Sequence, residues 1–286
     1  DDFISAAETA RIEILGDAIE ESQPATAYVG AEHDTYPYNA VTYIEATFPN
    51  GETYTGSGAV VGENDVLTAS HVIYSPADGG SAESITVYPG LDGYDQPYGS
   101  FDYALADYYE VDNDGDGFSY PDEGEDDLAV LGFDADFGNQ TGWFGLDPGA
   151  SSGTYNLTGY PGLYATDQGP RMINNNGTVT EDNSYFLFNY NSIESDPGNS
   201  GGPLWYQDDD GSFIVGVAST SGWATDVASH YSDILDAIDE NNYLYETPSA
   251  LASAEYSDGE SVVDDDAISL ELAGVTGASQ LDVSVV

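Results

Sequence analysis

The sequence predicts an all-β fold, a barrel or a sandwich, from two observations about its pattern and composition, and a third shows that the chain is long enough to form a core. Many short apolar runs are separated by Gly, Asn, Asp and Pro, which is the pattern of strands joined by turns. The chain contains 33 glycines and 23 tyrosines, as expected of a fold rich in turns and half-buried strands. It has 286 residues, of which 40% are hydrophobic, enough for one large domain or two small ones with a sizeable core.

The expected strands lie in the middle of the chain and recur at short intervals. A hairpin turn is expected at Asp209-Asp210-Gly211, between two apolar runs, because Asp-Gly is a preferred turn pair. Recurring strands at this spacing indicate a barrel or a sandwich. The runs, in chain order, are AVTYIEATF, SGAVVGENDVLTASHVIY, SITVYPG, DLAVLGF, GTYNLTGYPG, YFLFNY and GPLWYQDDDGSFIVGVAST.

One helix is expected after the last of these strands, over residues 232–242. The segment SDILDAIDENN carries Ile234, Leu235 and Ile238 at helical spacing. Ser232 stands where a side-chain oxygen can cap the first turn of a helix. The helix is therefore expected to begin next to Ser232.

Both ends of the chain differ in composition from the β-rich region, which gives three expected segments. Residues 1–30 form an acidic leader or propeptide remnant, in which residues 5–21 have the apolar spacing of an amphipathic helix. Residues 31–246 form the main domain, and residues 247–286 form an acidic tail or a small β extension. The first residues do not show a basic segment followed by an apolar core, so they are not an intact signal peptide.

The charge of the chain is strongly negative and restricts its partners. There are 53 acidic residues against two basic ones, Arg11 and Arg171, for a net charge of -51. Such a chain repels phosphates and anionic lipids, so neither nucleic acid nor membrane insertion is expected. Because salt or divalent cations relieve the self-repulsion, we expect a halophilic protein adapted to a salty medium. There is no cysteine, and no apolar run is long enough to span a membrane.

A loop rich in glycine, SDPGNSGGPLW at residues 195–205, carries the first candidate site residue. Glycine is costly to order, so such a loop is either a tight surface turn or a site built from backbone N–H groups and the Ser200 hydroxyl. A nucleophilic serine needs a base, and His71 ends the strand pattern VLTASH. Asp127, directly before the strand pattern LAVL, is the expected carboxylate that orients His71. The N–H groups of Gly198 and Ser200 are then expected to stabilise an oxyanion.

Together these segments resemble the chymotrypsin-fold serine endopeptidases, and within them the bacterial glutamyl-endopeptidase branch. The matching pieces are GSGAVVGENDVLTASHVIY, DDLAVL, LTGYPG, DPGNSGGPLW and FIVGVAST, in this order over roughly residues 38–246. The order His, Asp, Ser is that of chymotrypsin. The resemblance implies two antiparallel β-barrels of the chymotrypsin type, with the site between them and a short C-terminal helix. It also implies that Ser219 borders the substrate groove and helps to hold the Asp127 carboxylate.

The expected substrate-binding residues are Glu194, Ser195, Ala218 and Ser219. Glutamate-specific members of the branch have a histidine in the strand that here reads VGVAST, where this chain has Ala218. An acidic substrate side chain needs a cation or strong donors when it is buried, so the resemblance does not carry over a preference for glutamate. Glu194 stands six residues before Ser200, where trypsin-like enzymes keep a carboxylate that binds Lys or Arg. The alternative is that Glu194 is one more surface acid.

A second motif, DNDGDGFSYPDE at residues 112–123, has the spacing of a calcium-binding loop. An EF-hand loop supplies oxygen ligands from positions 1, 3, 5, 7, 9 and 12, with glycine at position 6. The matching residues are Asp112, Asp114, Asp116, the Phe118 carbonyl, Tyr120 and Glu123, with Gly117 at the turn. No exiting helix fits before EDDLAVL, so we expect either a stand-alone structural calcium loop or a solvated acidic turn. Zinc and organic cofactors are not expected, since His and Cys do not cluster at ligand spacing.

The sequence therefore predicts a secreted, monomeric serine endopeptidase that hydrolyses protein or peptide substrates through an acyl-enzyme and is stabilised by calcium. Two alternatives stay open. One is a catalytically silent, calcium-dependent binding or adhesion protein that keeps the protease fold. The other is an inactive precursor from which the acidic leader has not been removed.

Overall fold

A computed structural model of the chain describes residues 28–111, 123–220 and 222–244. These ranges fold into two seven-stranded sheets, one small hairpin and three helices. The expected leader helix at residues 5–21 and the tail at 247–286 lie outside the described residues, and the three expected segment boundaries stay predictions. Within the described ranges, the helices are all too short or too polar to cross a membrane.

The first sheet is antiparallel and open. Its strands are β1 (Val41–Thr47), β2 (Thr53–Val60), β3 (Asp65–Thr68), β6 (Ser84–Pro89), β7 (Phe101–Asp102), β8 (Leu105–Tyr108) and β9 (Ala129–Gly132). They are ordered β7-β6-β1-β2-β3-β9-β8, and β4 (Tyr74–Ser75) pairs separately with β5 (Gly80–Ser81). In β1, Thr42, Ile44 and Ala46 are fully buried while the residues between them are partly exposed. This alternation places one face of the sheet against a hydrophobic core.

The second sheet closes on itself. Its strands are β10 (Gly145–Leu146), β11 (Gly153–Gly159), β12 (Ile173–Asp182), β13 (Leu187–Asn189), β14 (Pro203–Gln207), β15 (Ser212–Ala218) and β16 (Trp223–Asp226). The order is β10-β15-β14-β11-β12-β13-β16, and β16 pairs again with β15. Six antiparallel strands therefore form a closed barrel, and β10 joins its outside as a parallel strand on β15.

The expected hairpin between the last two long strands is confirmed. Strands β14 and β15 pair antiparallel from Gln207 and Ser212. The Asp208 N–H donates to the Gly211 carbonyl oxygen over 2.9 Å, which closes the turn. The acidic residues of the turn thus lie at an exposed hairpin tip.

The helices are few, as expected for an all-β fold. They are α1 (Ser70–Ile73), α2 (Gly138–Thr141) and α3 (Tyr231–Asn241), with 3-10 turns at Gly30–Glu32, Tyr38–Ala40, Pro76–Asp78, Gly124–Asp126 and Gly162–Tyr164. Helix α3 confirms the expected C-terminal helix, but the expected cap is wrong. The helix begins one residue earlier, after His230, so Ser232 lies in its first turn and does not cap it.

A buried polar cluster fixes the end of α3 against the first sheet. The Asn64 side-chain amide donates to the carbonyl oxygens of Phe133 at 2.7 Å and Asn241 at 2.8 Å. The Asn241 amide donates to Asp65 Oδ1 at 2.9 Å. Burial raises the pKa of the Asp65 carboxyl to about 6. The last residue of α3 is therefore held by a carboxyl group inside the protein.

The two sheets meet at Ser57 on β2. Its N–H donates to the Ser200 carbonyl oxygen over 2.7 Å, and its hydroxyl donates to the Gly198 carbonyl oxygen over 2.6 Å. The same hydroxyl accepts the Tyr160 N–H over 2.9 Å. A single serine of the first sheet thus anchors the glycine-rich loop that belongs to the closed barrel.

Candidate active site

His71 and Asp127 come from neighbouring strands of the first sheet. Strands β3 and β9 pair antiparallel, with Thr68 opposite Ala129. His71 follows β3 in the short helix α1, and Asp127 precedes β9. Because the paired ends of the two strands lie side by side, the register itself brings the two residues together.

The Asp127 carboxylate accepts three hydrogen bonds inside the protein. His71 Nδ1 lies 2.7 Å from Asp127 Oδ2, and the His71 backbone N–H donates to Oδ1 over 2.9 Å. The Ser219 hydroxyl also donates to Oδ2. Asp127 is fully buried, so its side chain can neither rotate freely nor exchange these partners for water.

The pKa of Asp127 is lowered and the pKa of His71 is raised by their contact. Burial alone raises the pKa of Asp127, but the adjacent His71 and the hydrogen bonds from His71 and Ser219 outweigh it and lower that pKa below its usual value. Burial alone lowers the pKa of His71, but the Asp127 charge and hydrogen bond outweigh it and raise that pKa. Asp127 is therefore held as a carboxylate, and the protonated form of His71 is stabilised beside it.

Ser200 lies next to the same region, on the loop before β14. A side-chain carbon built on Gly56 would meet the Val72 side chain at 2.7 Å and the Ser200 carbonyl oxygen at 3.2 Å. Val72 directly follows His71 in α1, so the serine and histidine segments meet at Gly56. Ser200 and Ser219 also line one pocket, while Ser219 binds Asp127. The structure thus brings Ser200, His71 and Asp127 to one region.

The loop before Ser200 offers free backbone donors. Gly198 has a φ of +105°, and a side-chain carbon there would lie 2.4 Å from the Tyr160 carbonyl oxygen, so only glycine fits. Among the described residues, no protein acceptor takes up the N–H group of Gly198 or of Ser200. Two unpaired donors beside a serine hydroxyl are the arrangement expected of an oxyanion hole.

A pocket of about 780 Å³ opens beside Ser200. Of the expected substrate-binding residues, Glu194, Ser195 and Ser219 line it. The full lining is Leu163, Tyr190, Asn191, Ile193, Glu194, Ser195, Asp196, Pro197, Asn199, Ser200, Ser219, Thr220 and Gly222. Ala218 does not belong to it, because its side chain is fully buried in the core of the closed barrel, with Phe188 and Val215 among its neighbours in that core.

Two carboxylates give this pocket its charge. The Tyr164 hydroxyl donates to Glu194 Oε1 over 3.1 Å, and the Asn175 amide donates to the Glu194 carbonyl oxygen over 2.8 Å. Burial, and then the Glu194 charge, raise the pKa of Asp196. The lining contains no basic side chain among the residues that the structure describes.

Three residues that shape this site were not among those expected from the sequence. Asp196 lies in the glycine-rich loop SDPGNSGGPLW, two residues after Glu194, so its position was available as a signal. Ser57 and Tyr164 had none, because their contacts join segments more than a hundred residues apart and thirty residues apart, respectively.

The expected calcium ligands fall almost wholly beyond the described ranges. Asp112, Asp114, Asp116, Phe118 and Tyr120 lie outside the described residues. Glu123 is described and stands directly before the 3-10 turn Gly124–Asp126. In the described part of the chain, His, Asp and Glu side chains do not form a group of three that fits a metal ion.

Two bacterial proteins are similar in sequence. One is an "Extracellular metalloprotease" of Bacillus subtilis, 32% identical over 132 residues, or 44% of this chain and 40% of that protein. The other is a "Glutamyl endopeptidase" of Bacillus licheniformis, 32% identical over 130 residues, or 44% of this chain and 37% of that protein. The matched part of the chain thus spans about 40% of the length of these curated relatives.

Solved structures share the fold. A Glu endopeptidase in complex with MPD matches with a TM-score of 0.59 at 22% identity, over 77% of this chain and 96% of that one. The protease Anisep from Arthrobacter nicotinovorans matches with a TM-score of 0.51 at 20% identity, over 68% and 95%. The scabies mite inactivated protease paralogue S-I1 matches with a TM-score of 0.52 at 19% identity, over 71% and 95%. The predicted chymotrypsin-type fold is confirmed, with the first of its two barrels an open, curled sheet.

A family model also matches the chain. The model described as "Trypsin-like peptidase domain" matches residues 56–217, more than half of the chain. This range begins in β2, ends in β15 and includes His71, Asp127 and Ser200. The resemblance to chymotrypsin-fold serine endopeptidases near the glutamyl-endopeptidase branch is therefore confirmed. The chain belongs to the trypsin-like peptidase domain family.

Proposed function

We propose that this protein is a serine endopeptidase in which Ser200, His71 and Asp127 act as a catalytic triad. One observation carries the proposal: the buried Asp127 carboxylate bonds His71 Nδ1 at 2.7 Å while Ser219 links it to the pocket that Ser200 lines. A histidine engaged through Nδ1 presents Nε2 as the base. This is the arrangement that serine acyl transfer requires.

The proposed mechanism follows from these positions. Ser200 Oγ attacks the carbonyl carbon of the scissile peptide bond as His71 Nε2 takes the hydroxyl proton. The N–H groups of Gly198 and Ser200 stabilise the oxyanion. His71 then gives the proton to the leaving amine, and water hydrolyses the acyl-enzyme by the same route. Asp127 holds the imidazole in the tautomer with Nδ1–H and stabilises its cation.

The charge of the pocket determines which substrate side chain, that of the residue before the cleaved bond, the pocket prefers. Glu194 and Asp196 supply negative charge, and the described lining has no cation to neutralise a bound carboxylate. A buried carboxylate without such a partner is costly. A lysine or arginine would instead form charge-assisted hydrogen bonds with the pocket acids. The proposed enzyme therefore prefers a basic residue there and discriminates against the glutamate that the name of the Bacillus licheniformis relative indicates.

Calcium, secretion and a salty medium complete the proposal. The loop at 112–123 supplies the oxygen ligands Asp112, Asp114, Asp116, Phe118, Tyr120 and Glu123, and calcium there neutralises acidic charge next to the turn that leads to Asp127. The net charge of -51 supports a salty medium. One similar protein is named extracellular, which supports secretion. Protein or peptide substrates follow from the family.

Cleavage of a mixed peptide library tests the activity. The wild type and Ser200→Ala are compared in calcium and high salt, with products sequenced by mass spectrometry. We expect cleavage after Lys and Arg by the wild type and none by the variant. Cleavage that survives in Ser200→Ala contradicts the triad. Cleavage after Glu contradicts the specificity alone.

The catalytically silent binding protein is the second candidate, and the fold does not separate it from an enzyme, since an inactivated protease paralogue shares that fold. A fluorophosphonate probe labels a serine only when a base activates it. We expect stoichiometric labelling of Ser200, abolished by His71→Ala. Absence of labelling in the full chain, together with labelling after removal of the acidic leader at residues 1–30, identifies a precursor.

A further inference from the structure

A histidine outside the proposed triad, His230, binds the turn from which Asp127 projects. His230 Nε2 lies 2.9 Å from Asp126 Oδ1 and 3.1 Å from the Glu125 carbonyl oxygen. Both partners are acceptors, so Nε2 carries the hydrogen that both share. Only 15% of the His230 side chain is exposed. The contact is therefore a partly buried link between the N-terminus of α3 and the turn Gly124–Asp126.

The imidazole of His230 is itself held in place. The Tyr109 ring packs against it, with 4.3 Å between ring centroids and 34° between ring planes. The Tyr109 hydroxyl donates to Asp233 Oδ2, which lies 3.5 Å from His230 Nδ1. Tyr109 thus fixes one face of the ring directly and its Nδ1 edge through Asp233. The orientation of His230 is therefore determined by Tyr109, which comes from another segment, and by Asp233 in the first turn of α3.

The turn has a second attachment, to the closed barrel. The Thr225 hydroxyl lies 2.6 Å from the Gly124 carbonyl oxygen and 3.2 Å from that of Asp127. Thr225 is fully buried on β16. Thr225 therefore binds the first residue of the turn and the residue that follows it, while His230 binds the two residues between them. Of the basic side chains in the described ranges, His71 and His230 are the two that bind this stretch.

We propose that His230 is a positioning residue, which holds the turn Gly124–Asp126 so that the Asp127 carboxylate meets His71 Nδ1. The proposal rests on the proposed peptidase function. His230 is absent from the pocket lining and acts through the backbone that carries Asp127. Loss of the His230 hydrogen bonds lets the turn move. Misplacement of a catalytic group by about 1 Å lowers a rate by up to about 100-fold.

Steady-state kinetics separate positioning from simple support of the fold. We expect His230→Ala to lower kcat roughly 10- to 100-fold per active site titrated with the fluorophosphonate, with KM changed less than twofold. His230→Gln keeps an N–H donor near the place of Nε2 and should recover most of the rate. The matched control is His33→Gln, because the His33 side chain is also mostly buried and its contacts, Gly90 and Asp95, belong neither to this turn nor to the pocket. It should leave kcat unchanged.

A second readout does not need activity. Proton NMR of the Ser200→Ala protein follows the titration of His71 and its Nδ1 proton in the presence and absence of His230→Ala. Because Asp127 raises the pKa of His71, displacement of the carboxylate should lower that pKa and broaden the Nδ1 signal. His230→Gln should restore the His71 pKa and the sharp Nδ1 signal. It also provides a folded variant if His230→Ala does not fold.

The outcomes of these two measurements are distinguishable. An unchanged kcat per active site and an unchanged His71 titration in His230→Ala overturn the proposal and leave His230 as a structural residue. A wild type that neither cleaves peptides nor binds the fluorophosphonate overturns the proposed function. In that case the His71 titration still decides whether His230 positions Asp127.

Discussion

Asp127 is the residue that sets the charge balance of the site. It is buried, and the carboxylate charge is retained because His71 and Ser219 supply hydrogen bonds that outweigh desolvation. In return it raises the pKa of His71, which must be neutral to accept a proton from Ser200. The activity of the proposed enzyme therefore rises with pH as His71 loses its proton, above the usual imidazole pKa of about 6.5.

Asp127→Asn tests this balance. We expect kcat/KM to fall roughly 10⁴-fold, because an amide does not select the productive imidazole tautomer. The acid limb of the pH profile should move to lower pH, because the variant lacks the charge that raises the His71 pKa. Asp209→Asn, the same change at an exposed hairpin tip, is the control and should alter neither quantity. An acid limb that stays in place in Asp127→Asn contradicts the assignment.

Gly198 is the second residue for which the structure predicts a large effect of substitution on kcat. Gly198→Ala places a methyl group 2.4 Å from the Tyr160 carbonyl oxygen at a φ of +105°, so the loop must shift and carry its N–H groups away from the oxyanion. We expect a loss of kcat of roughly 100-fold or more. The measurement is kcat per folded molecule, with folding followed by circular dichroism.

Gly99→Ala is the matched control for Gly198→Ala. Gly99 has a φ of +78°, but an added carbon there meets no atom within 4 Å. It should cost about 1 kcal/mol of stability through backbone strain and leave kcat unchanged. Equal losses of activity in the two variants would show that strain, not the position of the N–H groups, is responsible.

Residue identity at the site was predictable to different degrees. His71, Asp127 and Ser200 could be chosen because each stands beside a strand signal and their order fits one chemistry. The absence of Ala218 from the pocket was not predictable, because one residue along β15 decides whether a side chain faces the core or the groove. His230 carried no local signal for its role, since its partners in the turn Gly124–Asp126 lie more than a hundred residues away.

At the scale of elements, α3 shows what periodicity can decide. The pattern of Ile234, Leu235 and Ile238 predicted a helix, and the helix is confirmed. Periodicity did not fix its buried face, because Ile234 is 1% exposed while Leu235 is 43% exposed. Closure of the second sheet could be expected from the family resemblance, but not from the strand pattern. It depends on the pairing of β16 with β15, and a barrel and a sandwich share the same short alternating strands.

Burial of Asp65, which accepts the Asn241 amide at the end of α3, makes the stability of the fold depend on pH. The folded-state pKa of about 6 lies above the value of about 3.9 for an unfolded chain. The folded state therefore binds the proton more tightly, and stability falls as pH rises from about 4 to about 6. The loss from this group is on the order of 2–3 kcal/mol above pH 6.

Asp65→Asn should remove this pH dependence. The amide keeps an oxygen that accepts the Asn241 N–H and cannot ionise. The new NH₂ group takes the place of Oδ2, which is buried without a hydrogen-bond partner, and the resulting cost is the same at every pH. Calorimetry from pH 4 to pH 7.5 should thus show the variant gaining stability relative to the wild type as pH rises. A constant difference across that range rules out a raised Asp65 pKa.

For the whole molecule, the dominant feature is a net charge of -51 with two arginines and no lysine. Repulsion among so many carboxylates opposes the compact state, and dissolved salt screens it over distances that shorten from about 10 Å at 0.1 M to about 3 Å at 1 M. Screening is unspecific and does not saturate at low concentration. Binding of calcium by a loop is specific and saturates, so the two effects can be measured apart.

Calcium titration at constant ionic strength provides that separation. In 2 M NaCl after chelation, added Ca²⁺ at 100 times its dissociation constant should stabilise the folded state by about 2.7 kcal/mol, which raises Tm by roughly 5–10 °C. Mg²⁺ at the same concentration should raise Tm less, since it dehydrates reluctantly and demands a stricter geometry.

Asp114→Asn with Asp116→Asn should abolish the calcium response while the response to NaCl persists. The same double change at Asp209 and Asp210, in the acidic hairpin, should leave both responses intact. If chelation alters neither Tm nor the rate of peptide cleavage, the loop at 112–123 is a solvated turn and screening alone supports the acidic fold.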